Sequence, residues 1–466
     1  MSRLVVVSNR VAPIKDGKAV AGGLAVGVYE ALRDSGGIWF GWNGEISASP
    51  ELASETHGRI TYATLGLTRR DYDHYYRGFS NATLWPIFHY RIDLARYRRD
   101  EYEGYRSVNR KLAEQLKPLL RKDDVIWVHD YHLIPFADEC RRLGIRNRIG
   151  FFLHIPFPAP EILTAIPPHN DLFRTLCAYD LIGFQTEVDR QAFSDYITRE
   201  VRGVPGPDGY LTAYGHRFRA EVYPIGVVPD EIQATAASYK GRRNLIGRTA
   251  AGEPCPTIIS VDRLDYSKGL LERFCAYEEL LQRYPEHHRN VQFVQIAPTS
   301  RSDVKTYQHI RQQLETQAGH INGRYAELDW MPLHYLNRSH ERRVLMGLFR
   351  GAGIGLVTPL RDGMNLVAKE YVAAQDPENP GVLVLSRFAG AARELNTALI
   401  VNPYDTVGMA EALDRALRMP LAERKDRYAS MMLSIRHNDL GRWRDRFLAD
   451  LHAAGAGRQP TDKIAV

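Results

Sequence analysis

The sequence predicts an α/β fold with parallel sheets. Short apolar runs rich in β-branched residues recur along the chain, and longer amphipathic segments such as "LLERFCAYEELLQRYPEHH" separate them. Runs that are apolar throughout read as strands buried on both faces, and the helical segments between them read as βαβ crossovers. At 466 residues the chain exceeds one ordinary core, so two domains of about 200 residues each are expected.

"RLVVVSN" is the first strand, and Arg10 stands just past it. In the following "AGGLAVGV", Gly22 and Gly23 open an apolar helix whose first amides can face an anion. The glycines at 22, 23 and 27 do not make a GxGxxG spacing, and plain turn chemistry is the competing reading. "DHYYRGF" offers Tyr76 as a hydroxyl donor, and "NATLWPIFHYR" carries Trp85 as either a sugar platform or a structural ring. "DDVIWVHDYHL" is a strand followed by His129, Asp130 and His132. A metal site needs three or four convergent ligands, and no partner motif supplies the rest, so metal is excluded and Asp130 reads as an acceptor for sugar hydroxyls. "RIGFFLHIPFP" places His154 at another strand end, where a satisfied core histidine is the alternative. "YDLIGFQT" and "AEVYPIGV" complete this series.

Residues 227–256 are polar and carry no strand pattern. The expected domains are therefore 1–228 and 229–440, both Rossmann-like, with 441–466 a helix packing back on the first domain and a tail. In "TIISVDRLDYSKGLLERF", Arg263 and Lys268 lie five residues apart between a strand and a helix that Gly269 opens. Two cations beside helix amides make a diphosphate cradle, and a solvated surface pair is the alternative. "VQFVQIAPTSRSDVKTY" repeats the design with Arg301, and Ser302 and Asp303 cap the next helix. In "GIGLVTPLRDGMNLVAKEYVAAQ", Asp362 sits at a strand-to-helix turn, where it can meet a polar ligand. The amides of Leu366, Val367, Ala368 and Lys369 can hold a phosphate, and Glu370 a ribose diol. "GVLVLS" and "ALIVNP" are the last strands. In open α/β sheets ligands sit beyond the carboxyl ends of strands, and this set of residues describes a nucleotide sugar.

The net charge of +6 is spread along the chain, which suits an anionic small molecule. No Lys/Arg-rich run with interleaved aromatics points to nucleic acid. Cys140, Cys177, Cys255 and Cys275 are far apart and form no CxxC pair, which fits a reducing compartment. The apolar start is too short for a signal peptide and no stretch approaches a membrane span, so a cytoplasmic protein is expected.

These motifs, from "VVVSNR" through "FSNATLWPIFHY", "WVHDYHL", "FFLHIPFP", "VYPIGV", "VDRLDYSKG" and "APTSR" to "LVTPLRDGMNLVAKEYVAAQ", closely resemble those of trehalose-6-phosphate synthases, retaining glycosyltransferases of the GT-B architecture. The resemblance implies two Rossmann-like domains facing across a cleft. It implies glucose transfer from a nucleotide donor, UDP-glucose above all, to glucose 6-phosphate, giving α,α-trehalose 6-phosphate and UDP. It implies no cofactor and a homo-oligomer, a homotetramer by likeness to the family. Arg10, Tyr76, Trp85, Asp130 and Arg301 then look like the acceptor site, with Arg10, Tyr76 and Arg301 on its phosphate. Gly22, Gly23, Arg263, Lys268, Asp362 and the run Asn365, Leu366, Val367, Ala368, Lys369 and Glu370 look like the donor site. His154 is similar to a histidine on the donor sugar, and His340 to a ring near the base. Arg263, Lys268, Asp130 and His154 look catalytic. The family is described by front-face attack without an enzyme nucleophile. Two rivals stand beside this: a pseudo-glycosyltransferase coupling cyclitol units, and a catalytically silent sugar-phosphate sensor.

Overall fold

The structure, a computed structural model, describes residues 2–11, 23–239, 255–299 and 305–454. The chain divides into two compact units, Met1–Pro224 with Trp443–Val466, and Ile225–Arg442.

The apolar runs of the first unit pair as predicted, because strands buried on both faces satisfy their backbone only by pairing with neighbours. Among the described residues its strands are β1 Leu4–Arg10, β2 Gly37–Ile46, β3 Leu52–His57, β4 Ile60–Leu67, β5 Val125–His129, β6 Arg148–Phe152, β7 Leu181–Phe184, β8 Val204–Pro205, β9 Tyr210–Ala213 and β10 His216–Val222. They form one sheet in the order β3-β4-β2-β1-β5-β6-β7-β10-β9-β8. The centre is parallel, β3 pairs antiparallel with β4 on one side, and on the other β9 runs antiparallel between β10 and β8. β1 lies between β2 and β5, so the chain leaves it in both directions and a crevice opens beyond its carboxyl end.

The helix Leu440–Ala454 supplies Trp443 and Phe447 to this unit. Both rings lie 4.9 Å from the ring of Trp127 on β5, and Trp443 lies 5.2 Å from that of Phe152 on β6.

The second unit has β11 Thr257–Val261, β12 Gln292–Ile296, β13 Leu333–Leu336, β14 Ile354–Val357, β15 Val382–Ser386 and β16 Leu399–Val401. Their order is β13-β12-β11-β14-β15-β16, all parallel. The switch point falls between β11 and β14. The first crossing between units comes at Pro224–Ile225 and not at 228. The reason is packing: the carbonyl of Ile225 accepts the buried Nζ of Lys369 and the carbonyl of Val227 accepts the amide of Leu440, both donors belonging to the second unit. Among the described residues no helix is long and apolar enough to cross a membrane.

Candidate active site

The first unit gathers its site residues at the carboxyl ends of β1, β5 and β6. Arg10 closes β1, and its guanidinium lies 5.8 Å from the centre of the Trp42 ring. That ring is 5.5 Å from Tyr76, which in turn stacks on His132 at 5.8 Å and 11°. Tyr76 belongs to a π-helix over Tyr72–Leu84, a wide-turn form that recurs at functional sites. The π-helix thus brings a phenol to the same tryptophan ring that the strand-end arginine approaches. Trp42 was not singled out in the sequence, because "GIWFGWNGEI" carries glycines that weaken a strand pattern; its signal is an aromatic one strand away from Arg10.

Asp130 follows β5 with φ of 78°, a left-handed backbone that a non-glycine residue adopts at a cost of order 1–3 kcal/mol. Its Oδ1 accepts the amide of His154 at 3.3 Å, and its own amide donates to the carbonyl of Phe152 at 2.8 Å. The strained turn therefore fixes Asp130 against the end of β6. His154 Nε2 lies 3.1 Å from Nδ1 of His129, which is wholly buried. Burial pushes the pKa of His154 down to about 3 and that of His129 well below its usual value, with His154 as a second cause for His129. Both rings are neutral at physiological pH. Trp85 departs from the open-platform reading. It is 5% exposed, its ring 4.1 Å from His89 and 5.6 Å from Tyr131, because the following "PIF" turns it into the core of a short helix.

In the second unit, Lys268, Asp362 and Asn365 come together at the switch point. Arg263, just beyond β11, is exposed. Lys268 is 12% exposed and forms an ion pair with Asp362, which follows β14 and is equally enclosed. Asp362 also accepts Asn365 Nδ2 at 3.0 Å and the amide of Gly363 at 3.0 Å. Asp362 is thus held by protein groups rather than standing open to a ligand. Gly269 has φ of +65°, and a Cβ there would lie 2.4 Å from the carbonyl oxygen of Thr358, so only glycine lets this loop meet β14.

Arg273 is fully buried behind this loop. It donates to the carbonyl of Lys268 at 2.8 Å and to Thr358 Oγ1 at 2.9 Å, and pairs with Asp262 at 2.7 Å. An arginine on an otherwise apolar helix face was its only sequence signal.

The helix Leu366–Ala374 is capped by Asn365, whose Oδ1 accepts the amide of Ala368 at 3.4 Å. The Lys369 amide, as the fourth helical residue, already has a partner within the helix. Its buried Nζ donates to the carbonyl of Ile225 at 2.8 Å and pairs with Glu394 at 2.5 Å. Lys369 is therefore structural, which leaves Leu366 and Val367 to offer amides to a phosphate. Glu370 Oε1 lies 3.7 Å from Arg342. Burial raises its pKa, and Arg342 opposes the rise. His340, two residues before Arg342, has a buried Nε2 without a partner among the described residues, and burial lowers its pKa, with Arg338 a lesser cause. Gly23 is the first residue of the helix Gly23–Ser35. Gly22, Arg301, Ser302 and Asp303 lie outside the described residues. Among the described residues no group of three or more His, Cys, Asp or Glu could hold a metal ion.

The Glycosyltransferase family 20 model matches residues 4–453. The chain belongs to glycosyltransferase family 20. It is 58% identical over 452 residues to the trehalose-6-phosphate synthase of Enterobacter sp. (strain 638), covering 97% of this chain and 95% of the relative. Among solved structures it is similar to a UDP-forming α,α-trehalose-phosphate synthase from Burkholderia xenovorans in complex with glucose-6-phosphate, with TM-score 0.91, 59% identity, and 97% and 100% of the two chains covered. It is also similar to an E. coli protein of this kind bound with UDP-2-fluoro glucose, with TM-score 0.91, 55% identity, and 97% and 99% covered. The chain is accordingly an α/β glycosyltransferase of the GT-B class.

Proposed function

We propose that the chain transfers glucose, with retention, from UDP-glucose to glucose 6-phosphate, forming α,α-trehalose 6-phosphate and UDP. One observation carries this reading: at the switch point of the six-stranded sheet, Lys268, five residues beyond Arg263 at the end of β11, pairs with Asp362, which holds the cap Asn365 of the helix Leu366–Ala374 that bears Glu370. Two cations and helix amides suit a diphosphate, and a carboxylate suits a ribose diol. The molecules named with the relatives, glucose-6-phosphate and a fluorinated UDP-glucose, are the acceptor and a mimic of the donor.

Arg10 and Tyr76, with Arg301, serve the acceptor phosphate; Asp130 serves acceptor hydroxyls, and Trp85 only through the part of its ring left exposed. His154 serves the donor sugar and His340 the base side. Gly22 and Gly23 offer amides to the diphosphate, and Asn365 and Ala368 shape the helix start. The acceptor hydroxyl attacks the anomeric carbon on the face from which UDP departs. The bond from that carbon to the phosphate oxygen breaks with its electrons going to phosphate, and that group takes the hydroxyl proton. Asp130 and Asp362 are both tied into hydrogen bonds or an ion pair, which favours this route over a carboxylate nucleophile. Arg263 and Lys268 stabilise the charge growing on the diphosphate. No cofactor is required. The enzyme works in the cytoplasm as a homo-oligomer, a homotetramer by family likeness, and its four free cysteines suit a reducing compartment.

Product analysis with UDP-, ADP- and GDP-glucose, each with glucose 6-phosphate, tests the reading. Trehalose 6-phosphate should form fastest from UDP-glucose. No disaccharide phosphate from any donor would overturn the activity, and a faster ADP- or GDP-glucose reaction would overturn the donor assignment.

A further inference from the structure

His129 takes no part in the chemistry above, yet it is the partner of His154. Its Nδ1 is 3.1 Å from His154 Nε2, so a single proton lies between the two rings. Both rings are neutral, since burial disfavours the charged form of each. Each ring therefore carries one N–H, and two arrangements are open. In one, His154 donates from Nε2 and the proton of His129 sits on its own Nε2. In the other, His129 donates from Nδ1 and its Nε2 is a bare lone pair.

The surroundings of His129 Nε2 decide between them. That atom is buried without a partner among the described residues, and so are Nε1 of Trp127 and Nε1 of Trp443. The rings of these tryptophans lie 4.5 and 6.3 Å from that of His129. An indole nitrogen is a donor only. A proton on His129 Nε2 would add a third buried donor to a cluster that lacks an acceptor, whereas a lone pair there adds no donor, although neither indole hydrogen-bonds to it. The second arrangement is therefore lower in energy.

We propose that His129 is a positioning residue that locks His154 in the Nδ1–H tautomer, so that His154 acts as a hydrogen-bond donor to an oxygen of the transferred sugar. The first part rests on the pair alone, and the ligand contact rests on the functional reading above. Without His129, the ring of His154 reverts to the mixture of tautomers that imidazole adopts in water, and only a fraction presents a proton to the sugar.

Long-range ¹H–¹⁵N correlation on the full-length enzyme labelled with ¹⁵N-histidine reads the tautomer directly, with His154→Gln used to assign the signal. The expected result is Nδ1–H for His154 and for His129 in the wild type. An Nε2–H pattern for His154 overturns the proposal, whatever the activity. His129→Phe should then lower kcat/KM for UDP-glucose about 10-fold while leaving KM for glucose 6-phosphate unchanged. Equal losses for both substrates would mark a purely structural role and also overturn it. If the wild type made no trehalose 6-phosphate, the functional reading and the sugar contact would fall, but the tautomer measurement would still decide the lock.

Discussion

Lys268 and Asp362 form an ion pair at the switch point of the second unit, each side chain only 12% exposed. The cation expected to meet the leaving diphosphate is thus neutralised by protein before any donor arrives. Asp362→Asn removes the competing charge and should tighten UDP binding about 3- to 10-fold while slowing transfer. Calorimetric titration with UDP checks it. Weaker UDP binding would mean that Asp362 aims Lys268 instead of competing for it.

Glu370 and Arg263 should separate in steady-state kinetics. If Glu370 holds the donor ribose as proposed, it binds ground and transition states alike, so Glu370→Gln should chiefly raise KM for the donor. Arg263 is exposed beyond β11, and in the proposed role it meets charge that grows as the bond breaks. Arg263→Ala should lower kcat on the order of 10²–10³-fold. Initial rates at saturating glucose 6-phosphate decide it, and a wild-type kcat for Arg263→Ala would leave the leaving group to Lys268.

The buried guanidinium of Arg273 holds Asp262 at 2.7 Å and the carbonyl of Lys268 at 2.8 Å. Arg273→Met strands the buried carboxylate of Asp262 and should destabilise the second unit by about 3–5 kcal/mol. Adding Asp262→Asn should recover part of that loss. Urea unfolding of the two variants measures both steps, and full additivity would argue against the pair.

Stability should depend on pH through His154. An unfolded histidine takes up its proton near pH 6.5, whereas folded His154 does so only near 3. Between those values the unfolded state binds the extra proton, so the contribution of the neutral ring is complete above about pH 6.5 and is lost as pH falls toward 3. In His154→Gln the slope of unfolding free energy between about pH 6 and 4 should be shallower by up to about 1.4 kcal/mol per pH unit. Denaturant titrations across that range measure it, and an unchanged slope would exclude a His154 held neutral by the fold.

The strands and the strand-end residues were legible in the sequence because both are local. An uninterrupted run such as "VIWVH" or "TIISV" has one use in an α/β chain, and a polar residue just after it falls at the carboxyl edge of a sheet. Arg10, Asp130, Arg263 and Asp362 were found in that way. Strand β2 and the π-helix carrying Tyr76 were not, since glycines blur the first and the second has no periodicity of its own. What the side chains do once there was decided by residues distant in sequence. Lys268 meets Asp362 across 94 positions, and His154 meets His129 across 25. Lys369, which looks like a phosphate ligand in "NLVAKEY", spends its charge on Glu394 and the carbonyl of Ile225. Trp85 is drawn inward by His89 and Tyr131. Position at a strand end follows from hydrophobic pattern, but whether a charge there is open or already paired depends on packing, which no local window contains.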